Sequence, residues 1–232
     1  MHATNLRPLS RPSYNAANVI ELEQTDRLHY LHTKVRDKTA NKRQFSFYAD
    51  QIIRLLLEKS LERLNFTELN VTTPVGATYP GKELAMPLCG VSVVRAGESM
   101  ENELRRLDLN IPIGKILIQR DPTTKLPKLY YSKLPDNVEK FHVLLFEPML
   151  ATGGSAICAL DVMTKAGVKP ENITFVNLLC SPEGLEKVTA QFPDVTIVTS
   201  SIEQCLNEHA FMIPGIGDFG DRYFGTTDLG AV

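Results

Sequence analysis

Residues 142–167 read HVLLFEPMLATGGSAICALDVMTKAG, and this stretch decides the fold class. Its apolar start predicts a buried strand that ends at the acidic Glu147. The small residues 151–155, ATGGS, predict a tight loop, and the periodic run after them predicts a helix over 155–166 that is closed by Gly167. Strand, loop and helix in this order are the building unit of a parallel α/β sheet.

The loop between this strand and this helix is a candidate cradle for phosphate. Glycines let the backbone approach a ligand closely, and the free N–H groups at the positive end of the following helix favour an anion. The Lys that a Walker A loop requires is missing, which disfavours nucleoside triphosphatase chemistry. A tight glycine turn that binds no ligand is the structural alternative.

Strand and helix patterns alternate around this unit. The predicted strands cover residues 91–95, 113–119, 128–131, 142–147, 173–179 and 195–199. The predicted helices cover residues 44–65, 99–107, 155–166 and 182–191. Strands that are apolar on both faces and separated by crossover helices imply a parallel sheet covered on both sides. We therefore expect one α/β domain over residues 18–232, preceded by a mobile arm over 1–17, with a turn at 79–82, YPGK.

Composition narrows the class of function. Lys and Arg total 25 against 27 Asp and Glu, and the formal charge of −2 argues against a strong field for nucleic acid or an anionic membrane. The four cysteines form no C-x-x-C pair, which argues against zinc ribbons and redox dithiols. Neither a signal peptide nor a run of about 20 apolar residues is recognisable. We expect a cytoplasmic protein with reduced thiols that binds no nucleic acid and no membrane.

A second glycine-rich stretch, PGIGDFGDR at 214–222, matches the spacing G-x-G-x-x-G. Its context excludes a dinucleotide-binding fold, because too few residues follow for a helix, a second strand and a ribose-binding acid. A turn-rich loop here would place Asp218 and Asp221 beside backbone groups that can bind a planar ligand. A plain C-terminal turn explains the pattern equally well.

Two Arg residues stand at predicted strand ends. Arg95, in VVRAGES, offers a fixed fork of donors that suits phosphate oxygens, although a lone Arg in this position is also typical of a surface ion pair. Arg120 precedes the polar loop DPTTKLPK, which suits a mobile cover over a reaction that excludes water. An exposed hairpin connection explains that loop as well.

Taken together, these segments resemble the uracil phosphoribosyltransferase family over about residues 18–227. The resemblance rests on VRAG at 94–97, IQRD at 118–121, EPMLATGGS at 147–155 and PGIGDFGDRYFGT at 214–226. The longer N-terminal region and the C-terminal ending resemble the eukaryotic and protozoan branch.

The resemblance implies an activity and a fold. The activity is the reaction of uracil with 5-phospho-α-D-ribosyl 1-diphosphate to give UMP and diphosphate, in pyrimidine salvage, with Mg²⁺ carried on the diphosphate and no direct metal ligands from the protein. The fold is the type I phosphoribosyltransferase fold, an α/β fold whose central, mainly parallel sheet is flanked by helices. A β-hairpin flexible loop and a C-terminal hood that binds the base complete it.

The resemblance also implies roles for residues by position. Arg95 would contact the diphosphate, Arg120 would lie near the same substrate, and Asp218 would face its ribose and the metal-bound waters. The implied catalytic residues are Asp218, Arg120 and Glu147. The ribose hydroxyls and the 5-phosphate would be held by Glu147, Pro148, Met149, Leu150, Ala151, Thr152, Gly153, Gly154 and Ser155. Uracil would be held by the backbone around Met212 and of Gly217, Asp218 and Phe219.

Glu147 is a departure, because the resemblance implies the Asp that the family typically has immediately before the run PMLATGGS, and this sequence has Glu there. The carboxylate then lies one methylene farther out, and a misplacement of about 1 Å can reduce a rate by roughly 100-fold. The alternative function is therefore a non-catalytic or weakly active nucleotide-sensing relative, and a phosphoribosyltransferase for another base is a narrower rival. The resemblance further implies a homodimer or homotetramer and, for some members, a GTP effector. Lys42 and Arg43 are either candidate ligands for an effector phosphate or a solvated basic pair.

Overall fold

The computed structural model describes residues 14, 16–108, 110–121 and 126–226. In this part of the chain the helices are α1 (Asp26–Arg36), α2 (Lys42–Leu61), α3 (Glu101–Leu107), α4 (Gly154–Lys165), α5 (Pro182–Gln191) and α6 (Phe219–Phe224). The strands are β1 (Val19–Glu21), β2 (Phe66–Thr72), β3 (Thr78–Leu84), β4 (Leu88–Val94), β5 (Ile113–Arg120), β6 (Pro127–Lys133), β7 (His142–Phe146), β8 (Met149–Leu150), β9 (Ile173–Cys180), β10 (Thr196–Ile202), β11 (Cys205–Leu206) and β12 (Met212–Ile213).

The main sheet has eight strands. Seven follow the order β1-β10-β9-β7-β4-β5-β6, and β8 pairs with β9 beyond the end of β7. Every pairing in this sheet is parallel except that of β5 with β6. All six predicted strands lie in this sheet within about three residues of their expected bounds, so the predicted α/β fold with a mainly parallel sheet is confirmed.

Helices cover both faces of the sheet, as the apolar strands predicted. Alternate residues of β7 point to opposite faces, and Phe146 packs in the same cluster as Ile52 of α2 and Leu104 of α3. On the other face, Leu145 packs in the same cluster as Leu160 of α4 and Leu185 of α5. Burying a side chain of this size stabilises the fold by roughly 1.5–3 kcal/mol. The two apolar layers hold the sheet edge that carries the candidate site.

Local side chains start the long helix α2. The side chain of Asn41 accepts the backbone N–H of Gln44 at 3.0 Å, and the Gln44 side chain accepts the N–H of Asn41 at 3.1 Å. This capping box satisfies two N–H groups that the first helical turn leaves unpaired.

None of the described helices combines the length and apolar composition needed to cross a membrane.

The turn predicted at 79–82 is wrong. These residues belong to β3, which pairs with β2 as a separate two-stranded hairpin, and the turn lies at 73–77 with Gly76 at a φ of +79°. Pro80 suggested a turn because it cannot donate a ladder hydrogen bond. A strand with a neighbour on one side only tolerates such a residue, and Pro80 lies opposite Asn70 in the hairpin.

Two predictions fall partly outside the described residues. Of the arm expected at 1–17, residues 1–13 and 15 lie outside them, and Ala16–Asn18 forms a turn of 3₁₀ helix. Of the cover loop expected after Arg120, residues 122–125 lie outside them. The flanking strands β5 and β6 form an antiparallel hairpin at the edge of the main sheet.

Candidate active site

Two candidate residues leave neighbouring strands at the same edge of the sheet. β4 ends at Val94 and β7 ends at Phe146, and Ser92 lies opposite Phe146 in their pairing. Arg95 and Glu147 therefore start from adjacent carboxyl ends. The chain continues from β4 to β5 on one side while β7 lies on the other, so the direction of winding switches here. Ligands of open α/β sheets bind at such a switch point.

The loop from β7 to α4 is held in place by backbone groups of β9 and by a side chain. The carbonyl of Pro148 accepts the N–H of Leu178 at 2.9 Å, and Ser181 donates its hydroxyl to the carbonyl of Ala151 at 2.6 Å. The short strand β8 adds two ladder positions to β9. The cradle predicted at 147–155 is therefore a rigid, hydrogen-bonded loop.

This loop opens into α4 without a capping side chain. Gly153 is the N-cap residue, has a φ of +77° and makes no side-chain hydrogen bond to the helix. The first N–H groups of a helix have no partner within it, and the helix dipole makes this end positive. Gly184 lets α5 approach the loop, because a methyl group there would lie 2.5 Å from the carbonyl oxygen of Ala151. The uncapped start of α4, between Thr152 and Ser155, suits a phosphate group.

Glu147 has an unusual environment for an acid. Its Oε2 atom is buried and has no hydrogen-bond partner among the described residues. Burial raises the pKa of this carboxyl to about 8, because an ionised carboxylate loses its hydration when water is excluded. An unpartnered buried oxygen at the mouth of the cradle is a suitable acceptor for a ligand hydroxyl.

Arg95 links the sheet edge to the C-terminal helix. Its guanidinium donates to Asp221 Oδ1 at 2.8 Å and to the Thr226 hydroxyl at 2.7 Å, and its Nη2 atom lies 3.7 Å from Asp218 Oδ1. Hydrogen bonds from Thr226 and Arg95 hold the pKa of Asp221 below its usual range. Gly220 leaves room for this arrangement, because a methyl group there would lie 2.8 Å from Arg95 Nη2. Two residues predicted separately, Arg95 and Asp218, are thus brought together.

Gly97 explains why the strand end can lie so close to β7. A methyl group at this position would overlap the carbonyl oxygen of Phe146. The glycine of the VRAG motif therefore has a packing role, since it lets the segment that carries Arg95 lie against the end of β7.

The residues predicted to hold uracil lie in one tightly folded loop. Met212 in β12 and Phe219 at the start of α6 are buried, and the Phe219 ring stacks on that of Tyr223 with centroids 5.4 Å apart. Gly215 and Gly217 have φ values of +68° and +74°, a region that favours glycine. Asp218 caps α6, since its Oδ1 accepts the N–H of Asp221 at 2.8 Å. The uracil assignment itself stays a prediction.

The residues that hold this loop were not predicted from the sequence. Arg36 and Glu203 bind the backbone of Gly215, and Arg222 binds the backbone of Ile216. One signal was available, because Glu203 directly follows the mostly buried strand β10 in the way that Glu147 follows β7. Arg36 carries no such signal, since a basic residue in the last turn of a helix is common.

Arg120 is the last residue of β5 and lies opposite Pro127 in the hairpin. Its side chain lies outside the described part of the structure, so its role in binding and catalysis stays a prediction. Pro127 itself adjoins the phosphate cradle, because a methyl group on Gly154 would lie 2.8 Å from its ring. The base of the hairpin therefore lies against the start of α4.

Comparison with solved structures defines the class of the fold. A protein from Aquifex aeolicus matches with a TM-score of 0.80 and 26% identity, covering 90% of this chain and 99% of that one. An adenine phosphoribosyltransferase from Trypanosoma brucei, solved with AMP, pyrophosphate and ribose-5-phosphate, matches in fold with a TM-score of 0.54 and 13% identity, covering 88% of this chain and 91% of that one. The fold is that of a type I phosphoribosyltransferase.

Sequence comparison then identifies the family. The uracil phosphoribosyltransferase family model matches residues 22–226. A uracil phosphoribosyltransferase from Dictyostelium discoideum is 51% identical over 211 residues, which are 91% of this chain and 98% of that relative. The chain belongs to the uracil phosphoribosyltransferase family.

Proposed function

We propose that the chain transfers the phosphoribosyl group of 5-phospho-α-D-ribosyl 1-diphosphate to uracil and releases diphosphate. The observation that carries this proposal is the 3.7 Å approach of Arg95 to Asp218. This approach joins the edge of the sheet, where an anion cradle precedes α4, to the loop proposed to hold the base. One substrate would then span the two parts of the site.

The charges at this junction suit the reaction. Substitution at the anomeric carbon builds positive charge on the ribose ring and negative charge on the leaving diphosphate. The Asp218 carboxylate, whose side chain is 58% exposed, would stabilise the ring, and the Arg95 guanidinium would stabilise the diphosphate. Fixed charges of this kind need little reorganisation during the reaction, which makes them effective.

Mg²⁺ would enter this site coordinated by the diphosphate of the substrate. The ranges that the structure describes hold no group of three or more metal-binding side chains. Asp218 would face the metal-bound waters. When bound, Mg²⁺ would neutralise part of the negative charge that develops on the leaving diphosphate.

The loop at 212–219 would recognise uracil through its backbone. Backbone donors and acceptors have fixed positions, so uracil N1 would be oriented for attack and would need no strong base. Cytosine reverses part of the edge pattern of uracil and would leave buried groups unpaired, and such groups cost about 1–3 kcal/mol each. This cost would exclude it from the site.

The alternative function, a non-catalytic nucleotide sensor, is not supported. The family match and the identity of about 51% to the Dictyostelium discoideum enzyme span almost the whole described chain. Arg95, Gly153, Gly154 and Asp218 are all present, whereas a sensor that had lost catalysis would be expected to lose such ligands first. Glu in place of the expected Asp at position 147 keeps the carboxyl group at this point of the site.

The proposed function is tested by measuring UMP formation from uracil and phosphoribosyl diphosphate, with and without Mg²⁺. Cytosine and hypoxanthine in parallel reactions are the matched controls for base selectivity. We expect metal-dependent turnover of uracil alone. Equal turnover of hypoxanthine would assign another base, and binding of UMP without any turnover would restore the sensor.

We also propose that the chain self-associates as a homodimer or homotetramer. The hairpin of β2 and β3 exposes almost every residue on both faces, including large apolar side chains such as Val71, Val75 and Tyr79. A lone two-stranded hairpin is marginally stable in water, so contact with a second copy would stabilise it. Light scattering should give at least twice the mass of 25.9 kDa, and Val71→Lys should lower it.

Two further expectations accompany this proposal. Cys89, Cys158, Cys180 and Cys205 are all free thiols, which supports a reducing, cytoplasmic location. Activation by GTP stays a prediction that rests on the resemblance alone, and titration of GTP into the uracil assay tests it.

A further inference from the structure

Both backbone polar groups of Gly215 are bound by charged side chains from distant parts of the chain. The N–H of Gly215 donates to Glu203 Oε2 at 2.6 Å, and its carbonyl accepts a hydrogen bond from Arg36 Nη1 at 3.0 Å. Arg36 ends α1 and Glu203 follows β10, so two elements of the core meet at this single residue of the loop. Hydrogen bonds to ionised groups are about twice as strong as neutral ones.

Arg36 and Glu203 also form a two-pronged ion pair with each other. Arg36 Nη2 lies 2.6 Å from Glu203 Oε1, and Arg36 Nη1 lies 2.9 Å from Glu203 Oε2. The Glu203 side chain is 1% exposed and that of Arg36 is 22% exposed. A buried pair of this kind stabilises a structure little compared with apolar residues, because desolvation offsets the attraction. Stability alone therefore does not account for the pair, whereas its hydrogen bonds to Gly215 give it a role in holding the loop.

The position of Gly215 determines the position of its neighbours. Gly215 has a φ of +68°, and a methyl group there would overlap the carbonyl oxygen of Met212. The loop is thus folded back on itself with no spare room, so a shift of Gly215 would move the Met212 backbone. The carbonyl of Ile216, the next residue, accepts a hydrogen bond from Arg222 at 2.8 Å.

Arg222 makes the second connection between this loop and the end of α1. Its guanidinium donates to the carbonyl of Val35 at 2.6 Å and to that of Asp37 at 2.6 Å, and its centre lies 4.3 Å from the centroid of the Phe45 ring. The end of α1 is therefore connected to the loop at two adjacent residues, to Gly215 through the Arg36 side chain and to Ile216 through Arg222.

We propose that Arg36 and Glu203 are positioning residues for uracil, which act through Gly215 rather than on the base. This inference rests on the proposed function of the loop. Backbone groups that recognise a base cannot be re-aimed by rotating a side chain. The position of the loop backbone must therefore be set by other residues. Loss of the pair would let the loop shift, and a misplacement of about 1 Å is enough to weaken recognition or catalysis by roughly 100-fold.

Two single variants test this proposal. Glu203→Gln keeps the shape of the side chain but removes its charge, and Arg36→Lys keeps the charge but replaces the fork of donors by one ammonium group. We expect the KM for uracil to rise by at least 10-fold in both variants and the KM for phosphoribosyl diphosphate to change by less than twofold. Amide hydrogen exchange over 212–219 should accelerate by at least 10-fold.

Ser200→Ala is the matched control on the same strand. Its buried hydroxyl donates to the carbonyl of Leu178 at 2.6 Å, so the variant removes a buried hydrogen bond from β10 without a change at the loop. We expect a lower melting temperature with both KM values and the loop exchange unchanged. This control separates a loss of stability from a loss of positioning.

An unchanged KM for uracil in Arg36→Lys, or an equal rise of both KM values, overturns the proposal. Arg36→Lys decides the matter if Glu203→Gln does not fold, since it keeps both charges of the pair. Failure of the proposed function looks different, because the unmodified protein would then convert no uracil. In that case unchanged loop exchange in the variants would overturn the positioning role independently.

Discussion

Arg95 and Asp221 form an ion pair of 2.8 Å although they are 126 residues apart in the chain. Thr226 completes the contact, because its hydroxyl donates to the same Asp221 oxygen at 2.6 Å and accepts from Arg95. The pair fastens the C-terminal helix to the edge of the sheet. It also orients the guanidinium next to Asp218, so that the cation proposed to meet the diphosphate is aligned before the substrate arrives.

Replacement of Asp218 tests the carboxylate at this junction. We expect Asp218→Asn to lower turnover by at least 10-fold, which corresponds to a loss of about 1.4 kcal/mol of transition-state stabilisation. Because Asn is as good an N-cap as Asp, α6 should keep its start and the melting temperature should stay close to that of the unmodified protein. Steady-state kinetics with thermal unfolding as the control measure both. Near-normal kinetics would remove Asp218 from the site.

A methyl group on Gly220 tests the orientation of Arg95. The added carbon of Gly220→Ala would lie 2.8 Å from Arg95 Nη2 and would displace the guanidinium, so we expect a KM for phosphoribosyl diphosphate at least fivefold higher. Stability should change little, because the preference of a helix for Ala over Gly, at most about 1 kcal/mol, offsets the loss of the partly exposed Arg95–Asp221 ion pair.

Gly76→Ala is the control for this variant and should behave in the opposite way. Its added carbon meets nothing within 4 Å, but the φ of +79° makes Ala strained there. The melting temperature should fall while the kinetics stay the same. Unchanged kinetics in Gly220→Ala would contradict the proposed role of the Arg95 orientation.

The acid Glu147 predicts a pH dependence of stability. Burial raises its pKa to about 8 in the folded protein, above the ordinary value of about 4.3 for the unfolded chain. Between these values the folded state holds a proton that the unfolded state has lost, so this group's contribution to stability falls as the pH rises from about 4.3 to 8. The contribution is fully present below this window and lost above it.

Glu147→Gln removes this titration. We expect its free energy of unfolding, relative to that of the unmodified protein, to rise between pH 5 and pH 8 in denaturant titrations. Lys59→Met, at an exposed surface ion pair with Glu62, is a control that should show no such trend in this range. A flat difference for Glu147→Gln would show that the carboxyl is already ionised in the folded protein at pH 5.

A separate prediction about Glu147 concerns activity. We expect Glu147→Asp to turn over uracil as fast as the unmodified protein or faster, because it restores the acid that the family resemblance implies at this position. The shorter side chain would draw the carboxyl back by one methylene. A large loss of kcat would show instead that the surrounding residues are adapted to Glu.

Much of the fold followed from local patterns. Four of the predicted strands, at 91–95, 142–147, 173–179 and 195–199, lie in strands that are mostly buried, and burial on both faces leaves few other conformations for such runs. The strand predicted at 128–131 lies in the exposed edge strand β6, where pairing with β5 holds it. The strand at 142–147, its glycine loop and the helix at 155–166 are found within one residue of their predicted bounds. The prediction of a turn at 79–82 was wrong, because Pro80 and Gly81 interrupt a strand only where it must pair with neighbours on both sides. β3 pairs with β2 alone.

Local sequence patterns also predicted part of the candidate site. Motif glycines such as Gly153 and Gly217 carry positive φ angles, and the acids and bases beside them stand at strand or helix ends. Their mutual arrangement was outside the reach of local patterns. That Arg95 meets Asp221 and Thr226, or that Glu147 keeps a buried oxygen without a partner, depends on how the C-terminal segment packs on the sheet.

The amino-acid sequence alone determined the α/β class, the cradle before α4 and the two segments that carry the candidate residues, since each is encoded in a short run of neighbours. Only the tertiary structure decided what holds the base loop. Arg36 and Glu203 are separated by 167 residues, and Arg222 reaches back 187 residues to Val35. Contacts at such distances arise because tertiary packing brings the end of α1 and the loop after β12 to the end of β10, and no local pattern of residues records that packing.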